Sequence, residues 1–317
     1  MSTITAPAGE TPAAAAPVRR SSAASVLRHI VRDPVGLIGL ILVAGFVLMG
    51  TVGPWLAPHD PNLQHLDEVF QGPSWTYPLG TDDLGRDVLS RVLYASRTGL
   101  LVAVSVTAIT SFIGVLLGAL GGYLGGWVDV VVSRLIDLVQ SFPYLLFVIF
   151  MNATLGPLVA RLLSGGGSSV PDAGVQYAVV IATLGLILWG GTARLMRGQV
   201  MALTSREFVL AAHAEGARTS LILRRHLLPH AIGPVIVSAS LTFGGALLLE
   251  ASLSYLGIGI QPPNASLGSM IEQSSSQWRY HPNLILVPSA VLALVLIGTS
   301  FLGDSLNDAL DPKRKRR

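Results

Sequence analysis

Cysteine is absent from the 317 residues, which removes disulfides, thiolate chemistry and any Cys-ligated zinc or iron–sulfur centre, and leaves the redox compartment unmarked by sulfur. Lysine is almost absent. Lys313 and Lys315 are the only two, both in the tail with no glycine before them, so the phosphate-cradling GxxxxGK[ST] loop is excluded. The chain holds no HExxH and no GxSxG, and its seven histidines show no metal-ligand spacing. His213, His226 and His230 stand near one another without carboxylate companions and read as helix-surface residues. No catalytic, cofactor or metal site is expected. Charge is scarce as well: 12% of residues are charged against 51% hydrophobic, with a mean hydropathy of +0.60, more than a soluble domain carries. The chain therefore reads as a membrane protein. Its net charge of +3 sits at the ends of apolar spans without interleaved aromatics, which excludes nucleic acid and leaves the lipid bilayer as its setting.

Six stretches suit a crossing of about 20 apolar residues. They are Val35 to Gly53, a run after Arg97, Leu138 to about Leu155, Gly174 to Ala193, Ala231 to Leu256, and Leu284 to Gly303. The run after Arg97 is uncharged up to Asp129 and would be about 46 Å long as one helix, too long for one crossing. The cluster Gly121, Gly122, Gly125 and Gly126 is expected to end it. Six crossings put both termini on one side. With a cytoplasmic N-terminus, 16 of the 21 Lys and Arg fall inside: four before the first span, Arg134, six from Arg194 to Arg225, and the five of the tail.

The expected organisation is a disordered tail at 1–24, an N-terminal anchor and outer loop at 25–96, a five-helix core at 97–312, and a basic tail at 313–317. Gly165 to Ser169 reads as an outer linker. Val35 to Gly53 is too long for the apolar core of a cleaved signal peptide. In the outer loop, Pro54, Pro58, Pro61 and Pro73 predict irregular chain. Thr81 is then expected to cap an amphipathic helix with Leu84, Val88, Leu89, Val92 and Leu93 on one face and acid-before-base pairs on the other. Its Asp83, Arg86 and Asp87 are candidates for contact with an extracytoplasmic partner.

Ser205 to Pro234 is basic and broken by turns. Arg206 to Ala214 has helical composition, Gly216 interrupts it, Thr219 is expected to cap a second short helix, and Pro229 to end or kink that helix. Ordinary helix connections in bundles take about 2 to 8 residues. Thirty residues predict a helix–turn–helix hairpin that docks on another protein.

This segment resembles the cytoplasmic coupling loop of ABC importer permease subunits, a Glu-Ala-Ala triplet followed by Gly and a hydrophobic-x-Leu-Pro end. Ala211, Ala212, Gly216, Leu228 and Pro229 carry the match, while Leu210 stands where the family has Glu. PLGTDDLGRDVLSRVLYASRTGL (78–100), GGYLGGWVDVVVSRLIDLVQSFPYLL (121–146), LLLEASLSYLGIGIQPPNASLGSMI (247–271) and FLGDSLNDALDP (301–312) resemble the dipeptide, oligopeptide and nickel permease family, C-type subunit. The resemblance implies an all-α, six-transmembrane-helix permease fold of the type I importer kind in a bacterial inner membrane. It also implies a second homologous permease, two ABC ATPase subunits that bind ATP and Mg, and an extracytoplasmic substrate-binding protein. The coupling loop (205–230) would then present Glu207, Leu210, Ala211, Ala212, Glu215, Gly216, Arg224, Leu228 and Pro229 to an ATPase, with Glu207 or Glu215 supplying the acidic contact.

Ionisable groups within spans are costly and default to function. Glu250 is a candidate for the translocation path or for an interhelical anchor; Gln140 and Asn152 are further path candidates. Asp137 is expected to pair with Arg134 on its own helix. A secondary transporter, which should show internal repeats, and a membrane anchor for a cytoplasmic enzyme are the alternative functions. Di- or oligopeptides, nickel and peptide-like solutes such as glutathione remain open as cargo.

Overall fold

The computed structural model describes residues 23–164 and 173–310, which are helical apart from loops and one isolated bridge. The expected linker at 165–169, the tail at 313–317 and all but the end of the tail at 1–24 lie outside the described residues. The helices are α1 (Ala23–Arg32), α2 (Pro34–Leu56), α3 (Val88–Leu124), α4 (Gly126–Ser141), α5 (Tyr144–Ser164), α6 (Ala173–Thr204), α7 (Glu207–Ala214), α8 (Thr219–Leu221), α9 (Leu228–Tyr255), α10 (Leu267–Ser274) and α11 (Asn283–Leu310).

Among the described residues, five helices are long and apolar enough to cross a membrane, and the bent pair α4–α5, taken as one span, makes a sixth. The third span is therefore corrected from one crossing at Leu138 to Leu155 to two helices bent by 98°. Pro143 causes the break: proline disfavours helical backbone before it, and Phe142 is extended at φ −86°, ψ 142°.

A second correction concerns the outer loop. Residues 81–87 form a tight loop closed by the bridge between Thr81 and Asp87, not the start of an amphipathic helix. Gly85 breaks the pattern: its φ is +70°, and a Cβ there would collide with the His65 carbonyl. Asp87 caps instead, accepting from the Ser90 N–H at 3.0 Å, so the stripe of Val88 and Val92 is the buried N-terminal end of α3. The amphipathic helix beside the spans is α1, with Ile30 buried and Leu27 and Val31 exposed. Asp33 accepts from the Gly36 N–H at 3.0 Å and Pro34 takes the first turn of α2, the usual helix-start pairing.

α3 runs unbroken for 37 residues, about 56 Å. The glycine cluster does stop it, at Gly125 with φ +63°, but Gly121 and Gly122 lie inside the helix. Gly122 belongs to a stripe with Gly114 and Gly118, four residues apart, packed on α6. A Cβ on Gly114 would sit 2.6 Å from Thr192 Cβ, on Gly118 2.9 Å from Met196 Cβ, and on Gly122 2.7 Å from the Arg197 carbonyl. Lipid tails are as apolar as side chains, so close backbone approach at small residues is what holds such helices together. α2 is seated against α11 in the same way, where a Gly39 Cβ would come 2.9 Å from the Gly298 carbonyl. The main core cluster joins α3, α6, α9 and α11 with α10; a second joins the C-terminal ends of α3 and α6 to α7 and the start of α9.

Candidate functional site

The segment after α6 folds as a hairpin whose first arm is α7. That helix ends in a Schellman turn: the Ala217 N–H reaches the Ala212 carbonyl and the Gly216 N–H the His213 carbonyl, both at 3.0 Å. The turn needs left-handed backbone, and Gly216 supplies it at φ +75°. The second arm departs from expectation. Arg218, not Thr219, takes the cap position and makes no side-chain cap bond. Pro229 does not end the helix, because α8 passes through a π-helical turn, Ile222–Leu227, directly into α9. Pro229 falls in the first turn of α9, where its missing N–H is harmless, and the wider turn before it absorbs the change of register.

Val209, Ala212, Ile222 and Leu227 turn inward and pack with Met196, Val200, Ala231 and Val235. Tyr123 at the C-terminal end of α3 adds a 3.0 Å contact between its hydroxyl and His213 Nε2, with the rings stacked. His230 lies against Phe208 and His226 bonds through its carbonyl to His230 Nδ1; His213 and His230 are exposed on the hairpin and His226 is half-buried. Facing outward are Glu207, Leu210, Ala211, Glu215, Gly216, Arg224 and Pro229; Leu228 is half-buried and Ala212 is buried. Leu210 is 56% exposed, and Phe208 and Leu221 are exposed with it. Apolar groups left in water on a hairpin that is itself firmly seated form a surface suited to a partner.

Two ion pairs brace the same end of the bundle. Asp129 of α4 accepts from Arg197 Nε and, at 2.7 Å, from its Nη2. Asp137 pairs with Arg194 of α6 at 3.1 Å, which corrects the expected local pair with Arg134. Sequence spacing favoured the neighbour on the same helix; the antiparallel packing of α4 on α6 brings the other arginine nearer.

At the opposite end, the residues expected to meet an outer partner are mostly turned inward. Arg86 and Asp87 are buried, which corrects that reading for both; of the three, only Asp83 is exposed, at 44% of its side chain. Arg86 bonds Asp82 at 2.7 Å through Nε and Gln273 of α10 at 3.2 Å through Nη2. Arg91, 1% exposed, shares the same Gln273 oxygen at 3.1 Å. Asp87 also lies 3.5 Å from His59. The loop is closed further by Tyr77 donating to Glu68, which holds the phenol above its usual pKa, and by Asn283 donating to the Leu79 carbonyl at 3.0 Å. Phe70, at φ +55°, stacks on His281 at 4.5 Å.

The three path candidates occupy separate surroundings. Glu250, 1% exposed, accepts from the Ser254 hydroxyl at 2.9 Å and the Ser266 hydroxyl at 2.8 Å, tying α9 to the start of α10. Asn152 donates to the Ile258 carbonyl, which joins α5 to the turn after α9. Gln140 is exposed, and its amide nitrogen would lie 3.2 Å from a Cβ on Gly190. Gln273, Arg197 and Tyr123 escaped the sequence reading. The only signal for them was a polar residue near the end of an element, which becomes informative once the facing element is known.

Residues 114–316 match the family described as binding-protein-dependent transport system inner membrane component, and residues 21–73 match the N-terminal TM domain of oligopeptide transport permease C. The chain is 36% identical over 295 residues to a dipeptide transport system permease protein DppC of Bacillus subtilis, covering 91% of this chain and 85% of that one. It is 32% identical over 288 residues to a DppC of Alkalihalophilus pseudofirmus, covering 91% and 89%. An oligopeptide transport system permease protein OppC of Haemophilus influenzae is 34% identical over 291 residues, covering 90% and 87%. Among solved structures, the inward-facing MetNI methionine ABC transporter aligns with a TM-score of 0.46 at 20% identity, over 66% of this chain and 93% of that one. The chain belongs to the family of inner-membrane permease components of binding-protein-dependent transport systems, in its dipeptide and oligopeptide permease C branch.

Proposed function

We propose that this chain forms, with a second homologous permease, the translocation path of an ATP-driven importer of di- or oligopeptides, with both termini cytoplasmic. Two separate ATPase subunits would bind the ATP and Mg and carry out the hydrolysis, and an extracytoplasmic binding protein would deliver the cargo. The observation that supports this most is the hairpin of α7 to α9. Its inner face is locked to α3 and α6 while Phe208, Leu210 and Leu221 stay exposed. A lever transmits motion only if it is stiff at its root and gripped at its tip.

The missing triplet glutamate fits this geometry. Leu210 offers an apolar contact where an acid would be expected, flanked on the exposed surface by Glu207 and Glu215, either of which supplies a carboxylate to a basic partner. Peptide cargo is inferred from the named relatives; nickel and glutathione-like solutes are the other chemistries such systems would take. The test is co-purification. An ATPase subunit that elutes with the wild-type chain and is lost when Phe208, Leu210 and Leu221 become Ser supports the reading. Retention of the ATPase by that variant would count against it, with a secondary transporter or a membrane scaffold as the remaining functions.

A further inference from the structure

An apolar groove of about 560 Å³ runs between the inner half of α3 and the second arm of the hairpin. Phe112, Val115, Leu116 and Ala119 form one wall, and Leu223 and Leu228 the other. α3 and the helix from Thr219 to Tyr255 run antiparallel, so Ser220 and Arg224 close the groove at the end where α3 stops. From Ser111 to Leu120 the wall is about 14 Å long, close to one leaflet's half of the roughly 30 Å hydrocarbon core. Phe112, one of the lining residues, is 71% exposed. Arg224 is exposed, and among the described residues the ion pairs to carboxylates are made by other arginines, those at 86, 91, 194 and 197. Arg225 is exposed beside it.

We infer that this groove binds an anionic phospholipid, its acyl chain along Phe112 and Leu116 and its phosphate on Arg224. The depth of the wall, its apolar lining from Phe112 to Leu120 with Ser111 the one hydroxyl at the far end, and a cation and a hydroxyl at its other end match that amphiphile. A basic side chain at a membrane surface favours anionic headgroups. A helix of the second permease would bury the wall equally well but gives no role to an arginine at one end. The lipid would bridge α3 and the π-helical turn, so it touches the two elements that must shift if the hairpin moves. Arg224 is then a headgroup ligand rather than part of the ATPase grip.

Placing p-benzoylphenylalanine at position 112 tests this in the intact complex in bacterial membranes. Irradiation should give a phospholipid adduct on this chain, with phosphatidylglycerol or cardiolipin enriched over phosphatidylethanolamine by about five-fold relative to the bulk membrane, the usual strength of one basic side chain. Arg224→Gln should abolish the enrichment while the lipid adduct persists, and Arg224→Lys should restore it. A crosslink to another protein chain overturns the inference. So do adducts that mirror the bulk lipid, or an enrichment that survives Arg224→Gln.

Discussion

Gln273 is one amide oxygen serving two buried guanidiniums, at 3.2 Å from Arg86 and 3.1 Å from Arg91. Removing a buried acceptor costs about 1–3 kcal/mol, and more when the donor is charged. Gln273→Leu should therefore detach the outer loop rather than unfold the bundle. Limited proteolysis should show cleavage within residues 57–87 that the parent resists; an unchanged pattern would mean Asp82 alone holds both arginines. Asp129 and Arg197 are a different case, with side chains 22% and 28% exposed. Partial exposure weakens a pair through solvent screening, so a double-mutant cycle with Asp129→Asn and Arg197→Gln should give a coupling energy of about 1 kcal/mol, at the upper end of the range for surface pairs. A coupling near zero would reduce the bridge to a crystal-like contact without energetic weight.

Elements turn on where the backbone can go. Gly216 sits in left-handed backbone that costs other residues roughly 1–2 kcal/mol, with Asn the best tolerated replacement. Gly216→Asn should preserve the hairpin and uptake, whereas Gly216→Val should leave membrane insertion intact and lower uptake per ATP hydrolysed; equal uptake in both would deny the turn a role in coupling. Gly118→Val places a branched side chain against the Ala193 carbonyl and Met196. Overpacking of that kind costs about 1–3 kcal/mol, and should appear as a lower unfolding midpoint in detergent, with Gly118→Ala showing less of it. The sequence made five of the crossings, the turn at Gly216 and the irregular chain before α3 legible, because hydropathy and glycine act locally; the break at Pro143 in the third span it did not show. It concealed the glycine stripe of α3, since Gly121 and Gly122 looked like the end of a helix until α6 was seen packed against that face. It also concealed the fate of Pro229, which depends on a π-helical turn that no local pattern announces. Spacing did show Asp82 with Arg86, but the partner of Asp137 and the Gln273 amide that joins Arg86 to Arg91 were hidden for a related reason: each is set by which elements lie side by side, whereas spacing along one chain is all a sequence displays.

At the scale of the molecule, the two ends of the bundle are built differently. One end exposes a seated hairpin; the other folds its polar residues into a closed network joining the loop before α3 to α10 and α11. A chain truncated after residue 260 should therefore insert its earlier spans yet leave the outer loop open to protease from the outside. Protection equal to the full-length protein would show that the loop folds without its distant partners. That network also imposes a clock. Leu79 and Arg86 leave the ribosome some 187 to 204 residues before Gln273 and Asn283, a delay of roughly 10–40 s at ordinary synthesis rates. During that interval Arg86 and Arg91 have only the carboxylates of their own loop, Asp82 above all, and lack the Gln273 amide that joins them. The last helices to be made are thus the ones that license the first loop to fold, and the quality of the outer surface reports whether synthesis was finished.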